Sequence, residues 1–507
     1  MAKASVVIVG AGPGGLIAGM LLARNGFDVR IFEKNALPGG RNSHLDLGGF
    51  KFDVGPTFLM MRFVLDDIFR AVGRKSEDYL EFIRLDPMYR LYFADKMTVD
   101  IFEDKDKMKA EIERHFPGQS AGLDTFMVKE RRRFLKLFKC LIRDYSTPWS
   151  MLNKNILSAL PTFNIMTTLY DKLGDYFKPE RMRIWFTFQS KYLGMSPWKC
   201  PAIFTMIPYV EHKYGIFHTK GGLSEISAAL AKVVGELGGK IDYNTKVKTV
   251  LVEKGAAVGV ELESGEKVRA DAVFVNADFG YAATSLFPPG VIRKWTRARL
   301  LSKNYSVSTL MLYLGLDTVY DLPFHNILFA KDYVKNITDL EKGLFPEGNA
   351  SFYVRNASKF DEKVAPPGMS NIYVLLPVAN LKYPQDWKAL GPRLRDWTLS
   401  QMEERLGMKD LRQHIVAEKV IVPPEWENDY NVFIGATFNL GHNLRQMLYW
   451  RPHNRFEEVR NCFIVGGGTH PGSGLPTIYE SGVISADLLC KKYGTSCAGG
   501  INRVPDD

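Results

Sequence analysis

The sequence predicts an α/β protein built on a Rossmann-like dinucleotide-binding domain. This domain is discontinuous along the chain, and a mixed-sheet domain and a helical subdomain are inserted into it. Three observations predict this: a β-branched run entering a glycine turn at the amino terminus, a strand meander within residues 246–278, and a strand–glycine loop–helix unit near the carboxyl terminus. With 507 residues the chain is too long for one ordinary core, and about 150 residues per domain suggests several folding units.

Each element follows from its residues. Ser5-Val-Val-Ile-Val9 reads as a parallel strand buried on both faces. The turn Gly10-Ala-Gly12-Pro-Gly14-Gly15 and a helix Leu16–Arg24 come next. Gly10 makes the tight turn, Gly12 admits a pyrophosphate, and Gly15 lets helix and strand approach, while the helix amino terminus offers free N–H groups. Asp28–Phe32 is a second strand. It ends in Glu33, placed to accept from a ribose hydroxyl, and is followed by Lys34 and a second glycine turn, Pro38-Gly39-Gly40-Arg41.

Glu103–Pro148 reads as helical and basic. Within it Phe134, Leu137, Phe138, Leu141 and Ile142 form an apolar stripe, with Lys129, Arg132, Lys136, Lys139 and Arg143 opposite. Such a helix suits an anionic bilayer surface; its bland alternative is a solvated face with the stripe in the core. Further on, a helix is expected over Leu223–Leu237 and strands over Lys246–Glu253, Ala257–Glu263, Lys267–Ala270 and Asp271–Asp278. Tyr305–Leu314 has the alternation of a sheet strand in an aromatic-rich region read as a substrate floor. Finally Cys462–Val465 enters Gly466-Gly-Gly-Thr-His-Pro-Gly-Ser-Gly474-Leu-Pro476, and Thr477–Tyr493 reads as a helix.

These elements divide the chain. Residues 1–80, 216–290 and 455–493 form the dinucleotide-binding domain, 81–102 and 291–454 the substrate domain, and 103–215 the helical subdomain. Residues 494–507 have little apolar content and are expected to be a loose tail.

Composition narrows the function classes. Lys plus Arg outnumber Asp plus Glu by 66 to 56, which favours acidic partners. No nucleic-acid-binding motif accompanies the charge, so no nucleic-acid partner is expected. The five cysteines include no C-x-x-C pair, so neither a disulfide framework nor a metal site is indicated, and a reducing, cytoplasmic compartment fits. No run reaches the roughly 18 apolar residues of a spanning helix; the nearest, Asn155–Tyr170, is broken by Pro161, Thr162 and Asn164. Contact with a membrane would be peripheral.

Gly10–Arg41, Phe52-Asp-Val-Gly-Pro-Thr57, Arg451-Pro-His-Asn-Arg455 and Gly468-Thr-His-Pro-Gly-Ser-Gly-Leu-Pro476 together resemble the bacterial-type phytoene desaturases, FAD-dependent relatives of the amine oxidases. The resemblance runs from the first strand to about residue 493 and implies FAD as cofactor. It departs from the pattern of many members at Thr477-Ile-Tyr-Glu480, where they carry a glycine or small residue. No second nucleotide-binding unit is evident, so no separate NAD(P)H domain is expected. The cofactor residues implied are Gly10, Gly12, Gly14, Gly15, Glu33, Lys34, Gly40, Arg41, Gly55, Pro56, Thr57, Val247, Gly467, Gly468, Thr469, Gly474, Leu475 and Pro476, with Val247 beside the adenine.

The implied reaction is dehydrogenation of a hydrophobic polyene such as phytoene, with oxygen or a membrane quinone as final acceptor. Hydride loss beside a conjugated chain leaves an allylic cation whose neighbouring C–H is acidic, so no strong base is needed. His470 is the one candidate proton acceptor, a loop-fixing role being its alternative. Arg451, His453 and Arg455 could meet an anionic cofactor group or pair with Glu457 and Glu458. Alternative readings on the same architecture are a retinol-saturase-like reductase, a carotenoid oxygenase, or a non-catalytic prenyl-lipid-binding protein.

Overall fold

The computed structural model describes residues 4–164, 166–193, 195–345, 348–499, 501 and 504. Five parallel strands form the first sheet, in the order Cys462–Ile464, Ala272–Val275, Ser5–Val9, Asp28–Phe32, Lys240–Asp242. Their β-branched runs are buried on both faces, as a sheet covered by helices requires. The helix Pro13–Arg24 crosses this sheet with residues 13–23 buried, packed between the helices Ser224–Glu236 and Leu475–Lys492.

Two close approaches set this packing. A Cβ at Gly15 would lie 2.6 Å from the Gly10 carbonyl oxygen, and one at Gly482 would lie 2.6 Å from that of Gly14. Only glycine lets the first helix sit this near both its strand and the last helix. Helix ends differ slightly from expectation because proline at the first turns starts two helices early: the first begins at Pro13 and the last at Leu475.

The meander Val247–Glu253, Ala256–Leu262 and Lys267–Arg269 is antiparallel and packs beside the parallel sheet. The third sheet has seven strands in the order Ile415–Ile421, Ser308–Leu316, Ser370–Val378, Phe352–Asn356, His325–Leu328, Tyr89–Tyr92, Thr98–Ile101. It is mixed, since His325–Leu328 pairs parallel to Tyr89–Tyr92 and the other pairs are antiparallel. The helix Trp387–Leu406 contributes Trp387, Leu394, Leu399 and Met402 to a core with Leu310, Leu312 and Leu314 on one face. The opposite face carries Met311, Tyr313, Tyr353 and Tyr373 toward the rest of the molecule.

A buried joint fastens this sheet to the first body. Arg355 pairs with Asp53 at 2.6 Å, both side chains out of water. Burial pushes the Asp53 carboxyl up, but Arg355 beside it holds it below the usual carboxylate range. Tyr313 and Tyr373 each donate, at 2.7 Å, to the carbonyls of Val54 and Gly55.

The stripe on the helix Ala121–Leu141 lies mostly in the core, the second of its two readings: Phe134, Leu137 and Phe138 are buried against neighbours such as Tyr209, Tyr214 and Phe63, Leu141 and Ile142 are half-buried, and Lys129, Arg132, Lys136 and Lys139 are exposed. Of the expected tail, residues 500, 502, 503 and 505–507 lie outside the described residues, and others are tied down. Asp487 accepts from Ser496 Oγ and from the Cys497 and Ala498 N–H groups, and Cys497 and Ile501 are buried. One carboxylate supplies the anchorage that the segment's apolar content did not suggest.

Candidate functional site

One cavity of about 460 Å³ opens between the parallel sheet and the mixed sheet, a size typical of cofactor and ligand sites. At one end it is built from backbone. Gly10, Gly12 and Pro13 at the amino terminus of the first helix face it, as do Gly474, Leu475 and Pro476 at that of the last. Two long helices thus aim their unpaired N–H groups and positive dipole ends at one space, the arrangement that binds a pyrophosphate.

Asn276, at the carboxyl end of Ala272–Val275, fixes the first turn by donating from Nδ2 to the carbonyls of Gly10 (3.0 Å) and Gly12 (3.2 Å). Glu33 is buried at the end of its strand, its carboxylate accepting from the Ala11 N–H at 2.8 Å and the Asn35 N–H at 2.9 Å. It keeps lone pairs for ribose hydroxyls. Burial lowers the Lys34 ammonium beside it, and burial raises the carboxyl of Asp278 on the same wall.

Of the residues expected to touch a cofactor, the cavity is lined by Gly10, Gly12, Glu33, Lys34, Gly40, Arg41, Gly55, Pro56, Thr57, Val247, Gly467, Gly468, Gly474, Leu475 and Pro476. Gly14 and Gly15 lie behind the turn, where they serve helix packing. Thr469 is turned away: its hydroxyl donates to the Pro452 carbonyl at 2.7 Å and it does not line the cavity. His470 does not line the cavity either. It is buried, its Nε2–H donates to the Leu141 carbonyl at 3.0 Å, and its ring meets Tyr145 edge-on. Burial depresses its pKa to about 3, so it is a neutral brace between the glycine loop and the helix Ala121–Leu141.

Among the described residues, Arg451 bonds backbone carbonyls rather than a carboxylate. Its buried guanidinium donates to the carbonyls of Gly467 (2.7 Å) and Thr469 (2.9 Å) and reaches those of Leu440, Gly441 and Gln446, and burial lowers it to about 9. It clamps the carboxy-terminal loop. His453 pairs with Glu457, as one reading of the sequence allowed.

Beyond the glycine turns the same cavity becomes apolar, walled by Phe188, Ile327, Met311, Leu375, Pro377 and Trp426, with the Tyr353 and Tyr373 rings among them. Sequence reasoning placed a substrate floor in the region that holds Met311, Tyr353 and Leu375 but missed Asn276 and Asp278. A polar Asn-Ala-Asp at the carboxyl end of a buried strand was the available signal for these two. The donor set, the buried ribose-side carboxylate and the cation Arg41 fit a flavin dinucleotide, and the apolar chamber adjoining it fits a hydrocarbon.

The family model for flavin containing amine oxidoreductases matches residues 13–490. A 4,4'-diapophytoene desaturase (4,4'-diapolycopene-forming) from Methylomonas sp is 52% identical over 96% of this chain and 95% of its own. An all-trans-zeta-carotene desaturase from Myxococcus xanthus is 39% identical over 99% of this chain and 96% of its own. Among solved structures, an oxidoreductase from Methanosarcina mazei superposes with a TM-score of 0.62 at 17% identity, covering 94% of this chain and 98% of its own.

Proposed function

Because this chain belongs to the flavin containing amine oxidoreductase family, among its carotenoid desaturases, we propose that it desaturates a linear isoprenoid of the 4,4'-diapophytoene or phytoene type. It is an FAD-dependent oxidoreductase, and the cofactor supplies the chemistry: a hydride acceptor for a saturated carbon beside a conjugated chain. The observation that carries the substrate reading is the continuity of one cavity from two helix amino termini into an apolar chamber.

The protein's own work is binding and orientation. Glu33 and the two helix ends would hold the ribose and pyrophosphate, and Arg41 and Gly55–Thr57 the segment toward the ring system. Arg41 is itself steadied through its bond to the Thr437 carbonyl at 2.8 Å. Phe188, Ile327, Leu375 and Trp426 would align the hydrocarbon and keep water out, so that positioning supplies much of the rate.

A membrane is the natural source of such a substrate, and we place the contact on residues 149–164 and 166. Among the described residues, Trp149, Leu152, Leu157, Leu160 and Met166 expose apolar side chains there, Trp149 at 78% and Met166 at 96%. Lys136 and Lys139 on the preceding helix, Arg143 just after it and Lys154 at the start of the next are exposed, where they would meet anionic headgroups. No helix among the described residues is long and apolar enough to cross a bilayer. Electrons would leave to oxygen or a membrane quinone.

The experiment is incubation of the FAD-loaded protein with 4,4'-diapophytoene and with phytoene in liposomes. A red shift in extracted polyene absorbance is expected, and no shift with either substrate would refute the reading. Product mass separates the alternatives, since a saturase adds two hydrogens and an oxygenase adds oxygen.

A further inference from the structure

Three side chains from different elements meet where the cofactor-side loop joins the chamber. Tyr353 lies on the strand Phe352–Asn356, His325 opens the neighbouring strand His325–Leu328, and Thr57 follows the Phe50–Asp53 strand. The Tyr353 hydroxyl is 2.6 Å from His325 Nδ1 and 3.1 Å from Thr57 Oγ1. Tyr353 and Thr57 line the cavity, while His325 is fully buried behind them with its ring stacked on Phe58 at 4.0 Å. A phenolic oxygen carries one proton and two lone pairs. Its one proton goes to Thr57 Oγ1 as that bond stands and can swing to the nearer His325 Nδ1 when that nitrogen is unprotonated, which leaves its lone pairs to accept another proton.

We infer that Tyr353, backed by His325, takes the proton released in desaturation. This rests on the desaturase reading. Once the hydride has left an allylic carbon with its two electrons, the neighbouring C–H breaks heterolytically. Its electron pair becomes the new π bond and its proton passes to Tyr353 Oη, whose own proton moves to His325 Nδ1. One hydrogen thus leaves with the electron pair and the other ends on the imidazole.

The surroundings keep both groups in the required state. Burial, with Arg355 and His218 nearby, depresses the His325 imidazole well below its usual range, so it stands neutral and ready to accept. Burial raises the Tyr353 phenol, so it stands protonated and ready to donate. Of the charged groups nearby, Arg355 is paired with Asp53, and His218 with Asp361 at 2.8 Å. A desolvated imidazole is a weak base, but an allylic cation needs no more.

The test compares FAD-loaded wild type, Tyr353→Phe and His325→Gln with 4,4'-diapophytoene or phytoene in liposomes under single-turnover conditions. Tyr353→Phe keeps the ring packed against Tyr373 and removes only the hydroxyl. Polyene formation should slow by about 100-fold or more in both variants with the bound-flavin spectrum unchanged, as expected for loss of general base help. A normal solvent deuterium isotope effect on polyene formation should be present in wild type and absent in Tyr353→Phe, a readout that a purely structural role would not move. Tyr353→Phe forming polyene at the wild-type rate, or keeping the wild-type isotope effect, would overturn this assignment alone. Wild type forming no longer polyene would overturn the desaturase reading and this assignment with it.

Discussion

Glu33 is held from two sides by the Ala11 and Asn35 N–H groups, so its carboxylate is oriented before any ligand arrives. Glu33→Gln would set an amide N–H against one of these donors and weaken the ribose contact. FAD affinity, followed by flavin fluorescence, should fall about 10- to 100-fold, since a hydrogen bond to a charged group is worth about 1.5–3 kcal/mol. His470 gives a contrasting expectation. As a brace it can be replaced by Gln with turnover per bound flavin kept within about threefold, whereas loss of a general base would cost 100-fold or more. Its effect belongs to stability and pH. His470 and His212 are buried neutral, with pKa values near 3 and 4, against about 6.5 in the unfolded chain. As pH falls from about 6.5 toward 4 the unfolded chain takes up protons that the native fold refuses, so stability is lost. Each histidine contributes at most about 1.4 kcal/mol per pH unit. Denaturant midpoints at pH 7, 6 and 5 should drop steadily, and His470→Gln should flatten the slope.

The first helix depends on contacts with no room in them. A Cβ at Gly15 would lie 2.6 Å from the Gly10 oxygen and 2.7 Å from Asn276 Nδ2, so Gly15→Ala must push the helix off its strand and disturb the amide that fixes the turn. A loss of about 1–3 kcal/mol, typical of overpacking, is expected in thermal unfolding, together with loss of bound flavin. Elements such as this were legible in the sequence because their signals are local: a β-branched run, glycines at fixed spacing, an acid at the next strand's end. The helix Ala121–Leu141 was legible as a helix but not in its partners, because periodicity shows that a stripe is apolar and not what covers it. The exposed apolar residues fall in the segment of short helical turns after it, too short for a period to mark them. Trp149→Ser with Leu157→Ser should therefore reduce flotation with anionic liposomes while leaving the melting temperature unchanged, and undiminished flotation would refute that contact.

At the scale of the whole molecule, the cavity exists because two bodies close on each other through Asp53–Arg355 and the tyrosine bonds to Val54 and Gly55. Its nucleotide end could be read residue by residue, since most of it is carried by two motifs. Its apolar end could not: Met311, Leu375, Tyr353 and Ile327 sit on four strands and become neighbours only through pairings such as Met311 with Leu375 and Tyr353 with Leu375. Arg355→Met would leave Asp53 buried without its cation and should cost about 3–5 kcal/mol, measured by denaturant unfolding. On the desaturase reading the two ends act together, FAD held at one supplying the oxidant for a hydrocarbon held at the other. The most direct measurement is an anaerobic single turnover with 4,4'-diapophytoene in liposomes, following flavin bleaching and product mass together. One flavin reduced for each two hydrogens lost from the polyene is the expected result; an oxidised flavin beside unchanged polyene, or a product that has gained hydrogen or oxygen, would contradict it.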